Sequence, residues 1–109
     1  MHIALNGKDY LIRYPLAACR SLERELDKSV FEIHDDVVNG RVGINLMVAL
    51  IWAGILHENR AITIDLVSLW LEDVKTPLPE LYQACLVEFF QSIASRIGTK
   101  AAEASAEKN

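Results

Sequence analysis

Three histidines and two cysteines are the side chains with which chemistry could begin in this 109-residue chain. A histidine exchanges a proton near neutral pH, and a thiol activated by a neighbouring base attacks electrophiles. His2 lies at the start of the chain, His34 precedes Asp35-Asp36, and His57 precedes Glu58. A metal centre needs three or four converging ligands, commonly two histidines one helical turn apart, and that spacing does not occur. Cys19 and Cys85 each sit in an apolar helical pattern with no histidine beside them. Such thiols are poorly acidic and read as inert core residues. No Gly-x-Ser-x-Gly elbow and no glycine-rich phosphate loop is present. Gly7, Gly40, Gly43 and Gly98 fall at turns or helix ends, and the run from Glu23 to Asp27 alternates with arginine as a solvated helix face does. The residues predict no enzyme, no cofactor and no metal.

Composition points the same way. The length suits one domain with a core that needs no staples. Hydrophobic residues make up 51% and charged residues 24%, and the formal charge is −4. An acidic balance repels phosphate backbones, and Arg13, Arg20, Arg24, Arg41, Arg60 and Arg96 are scattered among acids. Nucleic-acid binding is not expected. Two isolated cysteines form no disulfide ladder, and Met1 to Gly7 lacks the basic start and long apolar core of a signal peptide. No apolar run reaches the roughly 20 residues of a membrane span. A cytoplasmic protein is expected.

The elements that must position these side chains follow from spacing. Residues 2–14 read as a β-hairpin about Asn6-Gly7, with Tyr10, Ile12 and Tyr14 on one face of the return strand. Pro15 opens an amphipathic helix of about 13 residues carrying Leu16, Cys19, Leu22 and Leu26. Ser29-Val30-Phe31-Glu32 matches a capping box, and its helix should end at Asn39-Gly40. Asn45 is a plausible cap for the helix that runs to about His57. Thr63 caps a helix of about 11 residues with Asp65 in its first turn, and Thr76-Pro77 starts the last one. Leu78, Leu81, Tyr82, Cys85, Leu86, Phe89, Phe90, Ile93 and Ile97 make its stripe, and Gly98 ends it. The predicted fold class is mainly α: an N-terminal β-hairpin followed by a compact bundle of about five helices. A single domain spans 1–98, and 99–109 form a disordered tail without large apolar residues.

One segment is unusual. Leu46 to Leu56 is uncharged, and as a helix it is apolar all round, whereas a helix packed on one core has a polar back. It must be covered on both sides, by the rest of the chain or by a partner. Gly54 inside it costs roughly 1 kcal/mol relative to alanine, which either admits a close helix neighbour or bends the helix. The surplus of wide side chains marks Trp52, Ile55, Leu56, Trp70, Leu71, Leu86, Phe89 and Phe90 as candidates for a protein-interaction surface.

The hairpin Ile3-Ala4-Leu5-Asn6-Gly7-Lys8, the helix with Leu22-Glu23-Arg24-Glu25-Leu26, the segment Leu50-Ile51-Trp52-Ala53-Gly54-Ile55 and the Thr-capped Thr63-Ile64-Asp65-Leu66-Val67 together resemble the tail assembly chaperones of long-tailed bacteriophages and gene transfer agents. The resemblance covers roughly residues 3–97. It implies a non-enzymatic protein of the bacterial host cytoplasm, encoded by a phage or prophage and absent from the mature virion. It further implies binding of hydrophobic helical segments of a tape measure protein, recruitment of tail tube protein, and possible homo-oligomers. The alternative is a small acidic adaptor or regulator that binds another protein and has no part in virion assembly.

Overall fold

The turn at Asn6-Gly7 sets the first element. Both residues adopt positive φ, 52° and 73°, which asparagine and glycine tolerate and which a tight two-residue hairpin requires. In the computed structural model, which describes residues 1–97, strands β1 (His2–Leu5) and β2 (Lys8–Leu11) pair antiparallel with Ile3 opposite Tyr10. Helices α1 (Leu16–Leu26), α2 (Val30–Val38), α3 (Ile44–Ile55), α4 (Ile64–Glu72) and α5 (Leu78–Ser92) follow, and α5 runs on into a π-helical turn over Ile93–Ile97. The protein is mainly helical with an N-terminal hairpin, as the spacing predicts. Gly98 and the tail at 99–109 lie outside the described residues.

Caps fix most boundaries. Ser29 accepts from the Glu32 amide at 3.1 Å while Glu32 accepts from the Ser29 amide at 3.2 Å, completing the expected capping box of α2. Thr63 accepts from the Leu66 amide at 3.1 Å and starts α4. Two starts differ from expectation. Gly43, extended, precedes α3, so Asn45 lies within its first turn and caps nothing. Pro77 rather than Thr76 caps α5, with Pro79 in its first turn. Neither proline has an amide hydrogen, and the first turn of a helix leaves those hydrogens unpaired in any case.

The β ladder is shorter than the apolar pattern. It ends with His2 opposite Leu11, and one step beyond it Ile12 donates to the carbonyl of Met1 at 2.9 Å. Residues 12–14 then leave β1 and lie on α3, where the Arg13 amide donates to the Gly54 carbonyl at 2.9 Å. Glycine at 54 permits this approach. A Cβ there would sit 2.8 Å from Tyr14 Oη and 3.1 Å from Ile12 Cγ2. The neighbour admitted by Gly54 is an extended strand, not another helix.

Helix α3 is the centre of the core. Leu46, Val48, Ala49, Leu50, Ile51, Ala53 and Ile55 are all buried, beneath α1, α4, α5 and β2. The cover that an all-round apolar helix demands is supplied by the chain itself. Tyr10 of the hairpin stacks on Trp70 of α4 with ring centroids 6.0 Å apart, and Tyr14 meets the Phe89 ring of α5 edge-on at 5.4 Å.

Gly54→Ala weighs two effects. Alanine is the better helix former by roughly 1 kcal/mol, but overpacking a filled core costs about 1–3 kcal/mol. Tyr14 is held by a hydrogen bond to the Leu50 carbonyl and cannot swing away, so the clash wins. Chemical denaturation should show a net loss of about 1–2 kcal/mol. The loss should be smaller when Tyr14→Phe removes the clashing oxygen, a non-additivity that a double-mutant cycle measures.

Candidate interaction surface

The eight side chains singled out from the sequence part into two groups. Ile55, Leu56, Leu86 and Phe89 are buried, Ile55 and Phe89 completely, while Leu56 and Leu86 keep only a small edge of surface. Their expected place in an interaction surface is corrected: the wrapping of α3 absorbs them. Trp52, Trp70, Leu71 and Phe90 are half-buried against the core. The Trp52 indole donates to the Ile62 carbonyl at 2.9 Å, and Phe90 meets the His34 ring edge-on at 5.1 Å.

The apolar side chains left in solvent are others. On α4, Ile64, Val67, Trp70 and Leu71 repeat at helical spacing and face inward, which leaves Leu66 and Leu69 outside. Leu69 is 65% exposed. On α2, Val30, Ile33 and Val37 face the core, so Phe31 and Val38 project outward, and Val87 does so on α5. The inward stripes were legible in the spacing, and the residues between them are its complement.

The titratable groups are placed for structure. Among the described residues no three of His, Cys, Asp and Glu are grouped to hold a metal ion. Both thiols are buried, and burial pushes that of Cys85 up to about 12, which leaves almost no thiolate at neutral pH. Burial also raises Tyr14 well above its ordinary range. His57 and Glu58 grip the outer edge of the hairpin at Leu11: Glu58 accepts from its amide at 2.7 Å, and His57 Nε2 lies 2.6 Å from its carbonyl. A carbonyl only accepts, so Nε2 carries the proton. These bonds engage the outward edge of β2 at Leu11, where an unpaired edge is a template for aggregation.

One acid is largely hidden from solvent. Asp36 is buried at the junction of α1, α2 and the loop before α3, where Lys28 Nζ approaches to 2.7 Å and Arg41 Nε to 2.9 Å. Arg41 also reaches Asp35 at 2.7 Å. Hydrogen bonds from Lys28, then from Arg41, hold the Asp36 carboxyl below its usual range.

No family model, no curated relative and no solved structure matches this chain.

The Asp36 cluster sets a pH dependence. A carboxyl depressed on folding contributes stability that is complete above its unfolded pKa, about 3.9, and is lost as pH falls through the lower folded value. Asp36→Asn should therefore lower the melting temperature at pH 7. The melting curves of variant and wild type should converge as pH falls from about 4 toward 2. A constant difference across that range would place the effect of the substitution in packing instead of charge.

Proposed function

We propose that the chain is a non-enzymatic chaperone of the phage tail assembly type. It covers hydrophobic helical stretches of a tape measure protein and keeps them soluble in the bacterial cytoplasm while tail tube subunits are recruited. The reading rests on the resemblance of the hairpin and helix motifs, and one observation of the fold carries it: the outward Leu66 and Leu69 on α4, beside half-buried Trp70. Leucines one turn apart on an exposed helix face form a short apolar ridge, the geometry by which one amphipathic helix receives another. Asp65, Glu72 and Asp73 lie on or beside the same helix and are exposed, which keeps such a surface hydrated when empty.

The ridge yields a direct test. Leu69→Lys replaces an exposed side chain, so the thermal melt should stay within a few degrees of wild type. Losing the burial of one leucine costs roughly 1.5–3 kcal/mol, so its affinity for a tape measure fragment should fall about tenfold or more. Co-expression should show the wild type, and not the variant, moving the fragment into the soluble fraction. No gain in fragment solubility with wild type would end the proposal. Size measured across dilution for both proteins shows whether a second copy uses the same ridge.

A further inference from the structure

The outward face of α4 is acidic as well as apolar. Val67 points into the core, and at roughly 100° per residue Leu69 lies nearly opposite it. Asp65 precedes Leu69 by one helical turn, and Glu72 and Asp73 follow it by one, so the three carboxylates share the face of the ridge. Leu66, one turn before Leu69, completes that face, and all five side chains are exposed.

None of these carboxylates has a counter-ion. Ion pairs among the described residues engage Glu58, Glu88, Asp35 and Asp36, and no side-chain hydrogen bond among them involves Asp65, Glu72 or Asp73. The cations nearest in sequence are placed elsewhere. Arg60 lines a hollow beside α1 with Pro15, Ala17 and Ser21, and Lys8 pairs with Glu58. Lys75 stands two residues beyond the cap, and even with it acids outnumber cations on this face. Asp65 lies in the first turn, where the helix dipole favours it, but Glu72 and Asp73 lie where the last carbonyls gather negative charge, in a turn with no basic residue. These two carboxylates and the helix end repel one another, and a cation brought to that end relieves the repulsion.

We propose that the α4 face docks a basic amphipathic helix of a client protein. Leucine-type side chains of that helix lie along Leu66 and Leu69, and lysines or arginines beside its stripe meet Glu72 and Asp73. The inference rests on the reading of this ridge as a client-docking surface, and it adds the charge of the client. The leucines alone would accept any amphipathic helix or a second copy of the chain. Charge complementarity selects among them: a second copy in a two-fold contact brings the same three carboxylates, and an acidic helix brings its own. Two leucines make a small apolar anchor, so the charges around it decide which helix is taken.

The probes are three capped synthetic helices of about 18 residues, titrated calorimetrically into the full chain at about 0.05 M salt. They share one leucine stripe, flanked by lysine, glutamine or glutamate. The lysine helix should bind at least about tenfold more tightly than the glutamate helix, with the glutamine helix between them. Glu72→Gln with Asp73→Asn should weaken the lysine helix about fivefold and leave the glutamine helix unchanged. The melt of that double variant should not fall, because it removes charge that the helix end repels. Raising the salt to about 0.3 M should act on wild type as the double variant does, and Leu69→Gln should weaken all three helices. Equal binding of the lysine and glutamate helices, or an undiminished double variant, would overturn the proposal while leaving the ridge a docking surface. Binding of none of the three at about 1 mM peptide would overturn it even where a tape measure fragment is solubilised. Self-association through Leu69 that excludes the lysine helix would overturn it as well. Selection of the lysine helix by a chain that solubilises no tape measure fragment would support it and sink the tail-assembly reading alone.

Discussion

Tyr14 rests on the bare backbone of α3 at Gly54, and the arrangement of the other elements depends on that contact. Its hydroxyl donates to the Leu50 carbonyl at 2.6 Å and its ring meets Phe89 edge-on. Its carbonyl accepts from Ser92 Oγ at the end of α5 and lies 3.8 Å from Cys19 Sγ of α1. One residue therefore ties the hairpin exit to α1, α3 and α5. Any side chain at position 54 would lift the strand from the helix. The Arg13 amide would then lose its acceptor, and the grip of His57 and Glu58 on Leu11 would be pulled out of line. The cost of glycine within a helix is offset by this convergence of bonds in a dry interior, where each is stronger than in water.

That contact also decides which apolar side chains are left over. With the hairpin laid along one side of α3, and α1, α4 and α5 covering the rest, the wide residues of the apolar run find their cover within the chain. Burial of each contributes roughly 1.5–3 kcal/mol, so a partner that competed for them would have to unfold the core. Outward leucines on α4 and the outward Phe31 and Val38 on α2 carry no such obligation. Exposed side chains of this second kind gain burial on association without losing it first.

Periodicity made most of the fold legible. The Asn6-Gly7 turn, the Ser29 capping box and the Thr63 cap are local rules written in adjacent residues, and the structure obeys each. What spacing could not give was the tertiary choice of cover. Trp52 and Phe89 look alike as wide residues on apolar helices, yet Phe89 is sealed while Trp52 stays half-buried. The difference lies in which face meets Tyr14, a contact 75 residues distant in the chain for Phe89. The start of α3 was missed for a related reason: Asn45 is a good cap by type, but the extended backbone of Gly43 begins the helix earlier. Leu66 and Leu69 were recoverable, because a stripe through Ile64, Val67 and Trp70 assigns them to the outside.

Net charge says little about where charge lies, for a reason visible in the bonds. Glu23 accepts from the Val30 amide, Glu32 from the Ser29 amide and Glu58 from the Leu11 amide, while Asp36 answers Lys28 and Arg41. Each of these acids is engaged locally, as a helix cap, an edge clasp or a core counter-ion. A carboxylate that accepts a backbone hydrogen is held in its ionised form and keeps its charge at a fixed place on the surface. Arg20 and Arg24 enter no ion pair among the described residues, yet they line a hollow with Glu23, Asp27 and Glu32. Summing formal charges treats all fifteen acids as equal, whereas the folded chain has assigned several of them to its own backbone. The sign of a surface must therefore be read from where the fold places each charge, and not from the formal sum.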